Sequence, residues 1–92
     1  MEKYGKNHGS SKFSLAILES ERLRKLGNEL MYKRRFNEAI LVFQLSIEKN
    51  PISPETYDSL GKAYKKIGNN DLALKYSRKS KEVTDNPGSF SR

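Results

Sequence analysis

The chain repeats itself at an interval of 34 residues, and that period restricts it to architectures in which one supersecondary unit stacks on the next. Residues 20–53 laid on 54–87 superpose Glu21 on Glu55, Leu26 on Leu60, Gly27 on Gly61, Ala39 on Ala73, Ser46 on Ser80 and Glu48 on Glu82. Leu23 falls on Tyr57, Leu30 on Tyr64, Asn37 on Asp71 and Ile40 on Leu74, so size and capping chemistry are kept as well.

Within each unit apolar residues return every three or four positions, which is the period of an amphipathic helix, and stop signals divide the unit in two. The first helix is expected over about 20–34, with Leu23, Leu26 and Leu30 on one face. Phe13, Leu15, Ile17 and Leu18 continue the pattern upstream, so Ser14 is an alternative start. The second helix is expected to begin at Asn37, stapled by Phe36 and Leu41, and to stop before Pro51. Ser53 and Pro54 open the third, Gly68 closes it, and Asp71 caps a fourth that runs to about Thr84 before Asn86, Pro87 and Gly88. The fold class expected is all-α: two antiparallel helix-turn-helix units, an α-solenoid segment, with an extra or extended N-terminal helix. Residues 1–12 are expected to be a flexible basic, Gly/Ser-bearing segment, 13–87 the helical domain and 88–92 a frayed tail. Leu26, Gly27, Leu30, Ala39, Phe43, Tyr57, Leu60, Gly61, Tyr64 and Ala73 are the expected core.

Those residues resemble the tetratricopeptide repeat, whose pattern sets a bulky residue, Leu-Gly and Tyr on one helix, then Ala and Phe on the next, then Pro. Here it reads Leu23, Leu26-Gly27, Leu30, Ala39, Phe43 and Pro51; the second copy has Tyr57, Leu60-Gly61, Tyr64 and Ala73, but Ser77 in the aromatic place. The resemblance implies a scaffold or adaptor that binds a peptide or protein surface. Residues 57–64 also resemble repeats at the C-terminal ends of bacterial serine hydrolases, which implies, as an alternative, an accessory segment of such an enzyme.

Catalysis is not expected from the chain itself. His8 is the single histidine and there is no cysteine, so neither a base with a fixed partner nor a zinc-type ligand set can be assembled. No Gly-x-Ser-x-Gly elbow or phosphate-binding loop occurs, so no cofactor is expected. The longest apolar runs, such as Ala39 to Phe43, fall far short of the roughly 20 residues that span a bilayer, and the default expectation is a cytoplasmic protein.

The net charge of +7 raises nucleic acid as an alternative partner through Lys33, Arg34, Arg35, Lys62, Lys65 and Lys66. The cations are spread along the chain and few aromatics accompany them, so this reading ranks below protein binding. In the resembled family the first helix of each unit lines a concave groove, which selects Arg24, Asn28, Met31 and Tyr32, then Asp58, Lys62, Lys65 and Lys66, as partner-binding residues. Some members grip a peptide C-terminal carboxylate with a cation and an asparagine four residues apart. Arg24 and Asn28 match that spacing, but Ser59 stands where the next asparagine belongs. Two repeats are few for a continuous core. The segment from Phe13 to Leu18 is therefore expected either to fold back on the first unit or to pack against a second copy in a homodimer.

Overall fold

The computed structural model describes the backbone of residues 2–85 and the side chains of residues 15–84. Its elements are α1 (Glu2–Tyr32), α2 (Phe36–Lys49), α3 (Pro54–Lys66) and α4 (Asn70–Asp85), with no strand among the described residues. α1 packs against α2 and α3 against α4 as antiparallel hairpins, and α2 joins the two through its contact with α3.

Both hairpins are closed by the same bonds one repeat apart. The Ser46 hydroxyl donates to the Ser20 carbonyl at 2.7 Å, and the Ser80 hydroxyl donates to the Pro54 carbonyl at 2.9 Å. In the first hairpin Ser20 donates back to the Ser46 carbonyl at 3.0 Å, so the buried hydroxyls are satisfied and pin the start of the unit to its end. Halfway along, the helices approach most closely. A Cβ built on Gly27 would clash with the ring of the fully buried Phe43, 2.7 Å from Cδ1 and 2.8 Å from Cζ. Phe43 also joins Ala39, Ile40, Leu60 and Ala63 in one core cluster, so this ring links α1, α2 and α3.

The turns repeat too. The Arg35 N–H bonds to the Leu30 carbonyl at 2.8 Å and the Arg34 N–H to that of Met31 at 3.0 Å; Asn69 to Tyr64 and Gly68 to Lys65 follow the same pattern at 2.9 and 3.1 Å. These are Schellman closures, which place one residue in the left-handed region: Gly68 at φ 85° and, less comfortably, Arg34 at φ 64°.

This geometry corrects the expected caps. The Arg35 and Asn69 carbonyls accept the first helical bonds, from Ala39 and Ala73 at 3.0 Å each, so both second helices begin before Asn37 and Asp71. The left-handed residue turns the chain so sharply that the following residue already sits at the helix entrance. Asn69 caps α4 by accepting the Leu72 N–H at 3.2 Å, whereas Arg35 makes no side-chain cap and pairs with Glu38 at 2.7 Å. With the cap at Arg35, Phe36 lies inside α2 and no longer holds the N′ place of the expected Phe36–Leu41 staple. Ser53 and Pro54 do open α3, although the Ser53 hydroxyl donates to the Glu55 carboxylate and accepts no backbone N–H of the first turn.

α1 begins at Glu2 rather than at Ser20 or Ser14, because no proline or capping turn interrupts the ladder; Gly5 and Gly9 only weaken it by about 1 kcal/mol each. Fold-back of Phe13 to Leu18 is corrected as well. The helix runs straight on through this stretch and leaves Leu15 and Leu18 exposed, while the Phe13 side chain lies outside the described residues. So do the side chains of 1–12 and the whole of 88–92, with the stop expected at Asn86, Pro87 and Gly88. Of the expected core, Leu30 and Tyr64 are half-buried and Leu26 is 45% exposed; the remaining seven are buried.

Gly27→Leu is expected to lower stability by about 1–3 kcal/mol through overpacking against Phe43, despite the better helix propensity of leucine. Gly61→Ala should cost less, since its nearest neighbours lie at 3.1 Å and one is a small hydroxyl. Thermal melts of both variants check the order. Arg34→Gly, at a position already left-handed, should stabilise by about 1 kcal/mol, seen as a raised urea midpoint.

Candidate functional site

The side-by-side hairpins present matching stripes on α1 and α3: positions 24, 28 and 32 recur as 58, 62 and 66. Asn28, Tyr32, Asp58, Lys62, Lys65 and Lys66 are exposed, and Tyr32 is 92% so. Arg24 is half-buried, and Met31 turns inward to pack on the core. The Ser59 hydroxyl reaches Asn28 Oδ1 at 3.5 Å, a long bond that partly occupies this amide. Lys62 pairs with Asp58 at 3.3 Å, and as both ends face solvent the pair contributes little to stability.

These residues do not share one cleft. Asn28 and Tyr32 border an open hollow of about 620 Å³ on α1, completed by Lys25, Glu29 and Lys33. Asp58, Lys62 and Lys65 rim another of about 410 Å³ between α3 and α4, floored by Gly61, Ala73 and Ser77. The second hollow has a local cause. Ser77 occupies the place that Phe43 fills in the first hairpin, so a small hydroxyl stands beside Gly61 instead of a ring. The sequence shows the serine; that the gap opens to the surface between two lysines needed the structure.

A third hollow, of about 450 Å³, follows the seam between hairpins, where Gln44, Ile47 and Glu48 of α2 face Tyr57 and Leu60 of α3 and Lys75, Tyr76 and Lys79 of α4. Tyr76 lies against both α3 tyrosines, with ring centres 6.4 Å from Tyr57 and 5.6 Å from Tyr64 and planes within 11° and 9° of parallel. Tyr57 donates to the Pro51 carbonyl at 2.7 Å, and Gln44 donates to the Tyr64 hydroxyl at 3.1 Å. Burial, and then the neighbouring Tyr76, raises the pKa of both Tyr57 and Tyr64; the Gln44 bond partly opposes this at Tyr64.

Among the described residues no three His, Cys, Asp or Glu side chains gather at one point, and no helix is long and apolar enough to cross a membrane. The sequence matches no family model and no curated protein.

Since the folded chain holds the Tyr57 and Tyr64 protons to higher pH than the unfolded chain, their contribution to stability is complete below the ordinary tyrosine value of 10.0 and is lost as pH rises beyond it. Melting temperature should therefore fall above pH 10.0, and the fall should be shallower in a Tyr57→Phe, Tyr64→Phe double variant than in the parent. Equal slopes would count against this reading.

Proposed function

We propose that this chain is a pair of tetratricopeptide-type repeats whose work is to bind another protein, and that the hollow between α3 and α4 is where the partner's anchor enters. The observation that carries the reading is the Ser77 vacancy. The space lies where an aromatic ring sits in the companion hairpin, its floor is Gly61 and Ala73, and Lys62 and Lys65 stand at its rim. An apolar ring buried in such a pocket supplies most of the affinity, while rim charges set specificity. The ligand class that fits is a segment with a phenylalanine or leucine flanked by acidic residues. Lys62 is drawn to Asp58 in the free protein and would exchange that weak exposed pair for the acidic flank. The separate open hollow beside Tyr32 on α1, bordered by Asn28 and Lys33, offers a second point of contact. The repeat period, the two small Gly floors and this vacancy together support protein binding over nucleic-acid binding, because among the expected cationic contacts no exposed aromatic but Tyr32 offers a stacking platform.

Fluorescence anisotropy with a peptide library varying the anchor and the flanking charge tests this reading. Peptides with an aromatic anchor and acidic flanks should bind, and their basic counterparts should not. Ser77→Phe, which supplies the missing ring from within, should abolish binding while raising stability by about 1 kcal/mol. A library without a binder, or binding unchanged in Ser77→Phe, would overturn the assignment.

A further inference from the structure

The two hairpins are equivalent in backbone but opposite in what they show at the side facing toward the N-terminal end of the stack. In the second hairpin that side is Tyr57, Leu60, Lys75, Tyr76 and Lys79, and it is roofed by α2. The positions one repeat earlier are Leu23, Leu26, Leu41, Val42 and Leu45, all apolar, and none of the described helices lies over them. Leu60 is fully buried, yet its counterpart Leu26 is 45% exposed; Leu41 and Leu45 are 62% and 48% exposed where their counterparts are lysines. Leu15 and Leu18 lengthen the patch along α1. Five half-exposed leucines leave on the order of 500 Å² of apolar surface, the upper range for a monomer.

We infer that this face of α1 and α2 is an interface that takes a second copy of the same chain in a two-fold, face-to-face dimer. The choice of occupant follows from the opposite end of the molecule. Head-to-tail stacking would bring up the counterparts of Ile40, Phe43, Gln44, Ile47 and Glu48, the α2 residues on the equivalent side of the second hairpin; these are Leu74, Ser77, Arg78, Lys81 and Glu82, one apolar residue among four polar or charged ones. Arg78 and Lys81 laid on five aliphatic side chains would lose water with no acceptor among them, and Glu82 would keep only its long pair with Lys79 at 3.9 Å. Outside α1 and α2 the large aliphatic side chains exposed among the described residues are Ile52, Ile67 and Leu74, so the surface that best complements the patch is the patch itself, and a self-complementary patch closes on a two-fold axis. Pairing two such faces with their polar margins removes more than about 1,000 Å² from water, enough for a specific dimer. The net charge of +7 does not oppose it locally, since the margins alternate in sign: Glu19 is paired with Lys49 and Glu38 with Arg35, beside Arg22.

This inference concerns the other end of the molecule from the Ser77 hollow and stands or falls separately from it. Sedimentation equilibrium on the chain as it exists should give twice the chain mass of 10.6 kDa, dissociating on dilution. Leu41→Gln with Leu45→Gln, at positions exposed in the single chain, should keep the helical circular dichroism and weaken the dimer at least tenfold. Leu74→Gln, on the opposite end, should leave the dimer intact. Because the chain has no cysteine, Leu45→Cys introduces a single thiol, and a bis-maleimide should link two copies through it, whereas Leu74→Cys should give no linked product. A monomer at every concentration would overturn the inference. So would a dimer indifferent to the α2 substitutions, or an open-ended assembly that Leu74→Gln abolishes, which is the head-to-tail outcome.

Discussion

The contact between the bare backbone at Gly27 and the Phe43 ring is the constraint on which the other packing depends. A glycine in mid-helix costs about 1 kcal/mol relative to alanine, so its use here needs a return, and the return is the space for a fully buried ring. Phe43 lies close enough to α1 to share one surface with Leu60 and Ala63 of α3, and thereby α2 packs on both sides. A larger residue at position 27 pushes the ring outward and opens the seam between hairpins. The Ser20 and Ser46 bonds at one end of the hairpin and the Schellman turn at the other then fix the longitudinal register of a contact that hydrophobic packing alone would let slide.

The second hairpin keeps this geometry with weaker filling. Gly61 still makes a close approach, but to the Ala73 carbonyl and Ser77, and the missing volume appears as a surface hollow instead of a buried void. Compensation comes from the tyrosines: Tyr76 packs between Tyr57 and Tyr64 on the side facing α2, so the second hairpin draws its cohesion from the seam. The first hairpin, with Phe43 inside it, holds together internally and leaves leucines on its outer side. One repeat spends its large residues within itself and the other at its boundary, which is why the two ends of the molecule differ in character.

Much of this was legible from spacing. The period located both hairpins, Gly68 and Pro54 located the ends of α3, and seven of the ten expected core positions are buried. The expected caps failed in the same direction in both units, since Asn37 and Asp71 are attractive capping residues and the left-handed residue lies three positions before each of them. In the first unit that turn is made by Arg34, a residue carrying no signal for positive φ; the signal was present only at its counterpart, Gly68. Leu26 was expected inside because its repeat partner Leu60 is inside. Burial of a repeat residue depends on its neighbour, however, and among the described residues no hairpin covers Leu26 as α2 covers Leu60. Tyr76 and Val83 went unnoticed because the lysines and arginines around them make α4 read as a solvated helix. For the candidate site, the exposed stripe could be placed from helical spacing, whereas its division into two hollows depends on the volume left by Ser77, which no spacing rule encodes.

The size of the core ties folding to binding. Among the described residues the large buried side chains are Ile40, Phe43, Tyr57, Leu60 and Val83, a thin core for four helices. In such a protein a partner that occupies either end adds RT ln(1 + [L]/Kd) to the stability of the whole, and at a hundredfold excess over Kd this is about 2.7 kcal/mol. The two ends are coupled through Phe43 and the tyrosine seam, since α2 carries the leucine face on one side and packs against α3 on the other. Ordering the leucine face by association holds α2 in place, α2 holds α3, and α3 supplies Gly61, Lys62 and Lys65 to the hollow. Were both proposed associations to occur, the first would thus reduce the ordering cost of the second, with no change of shape required.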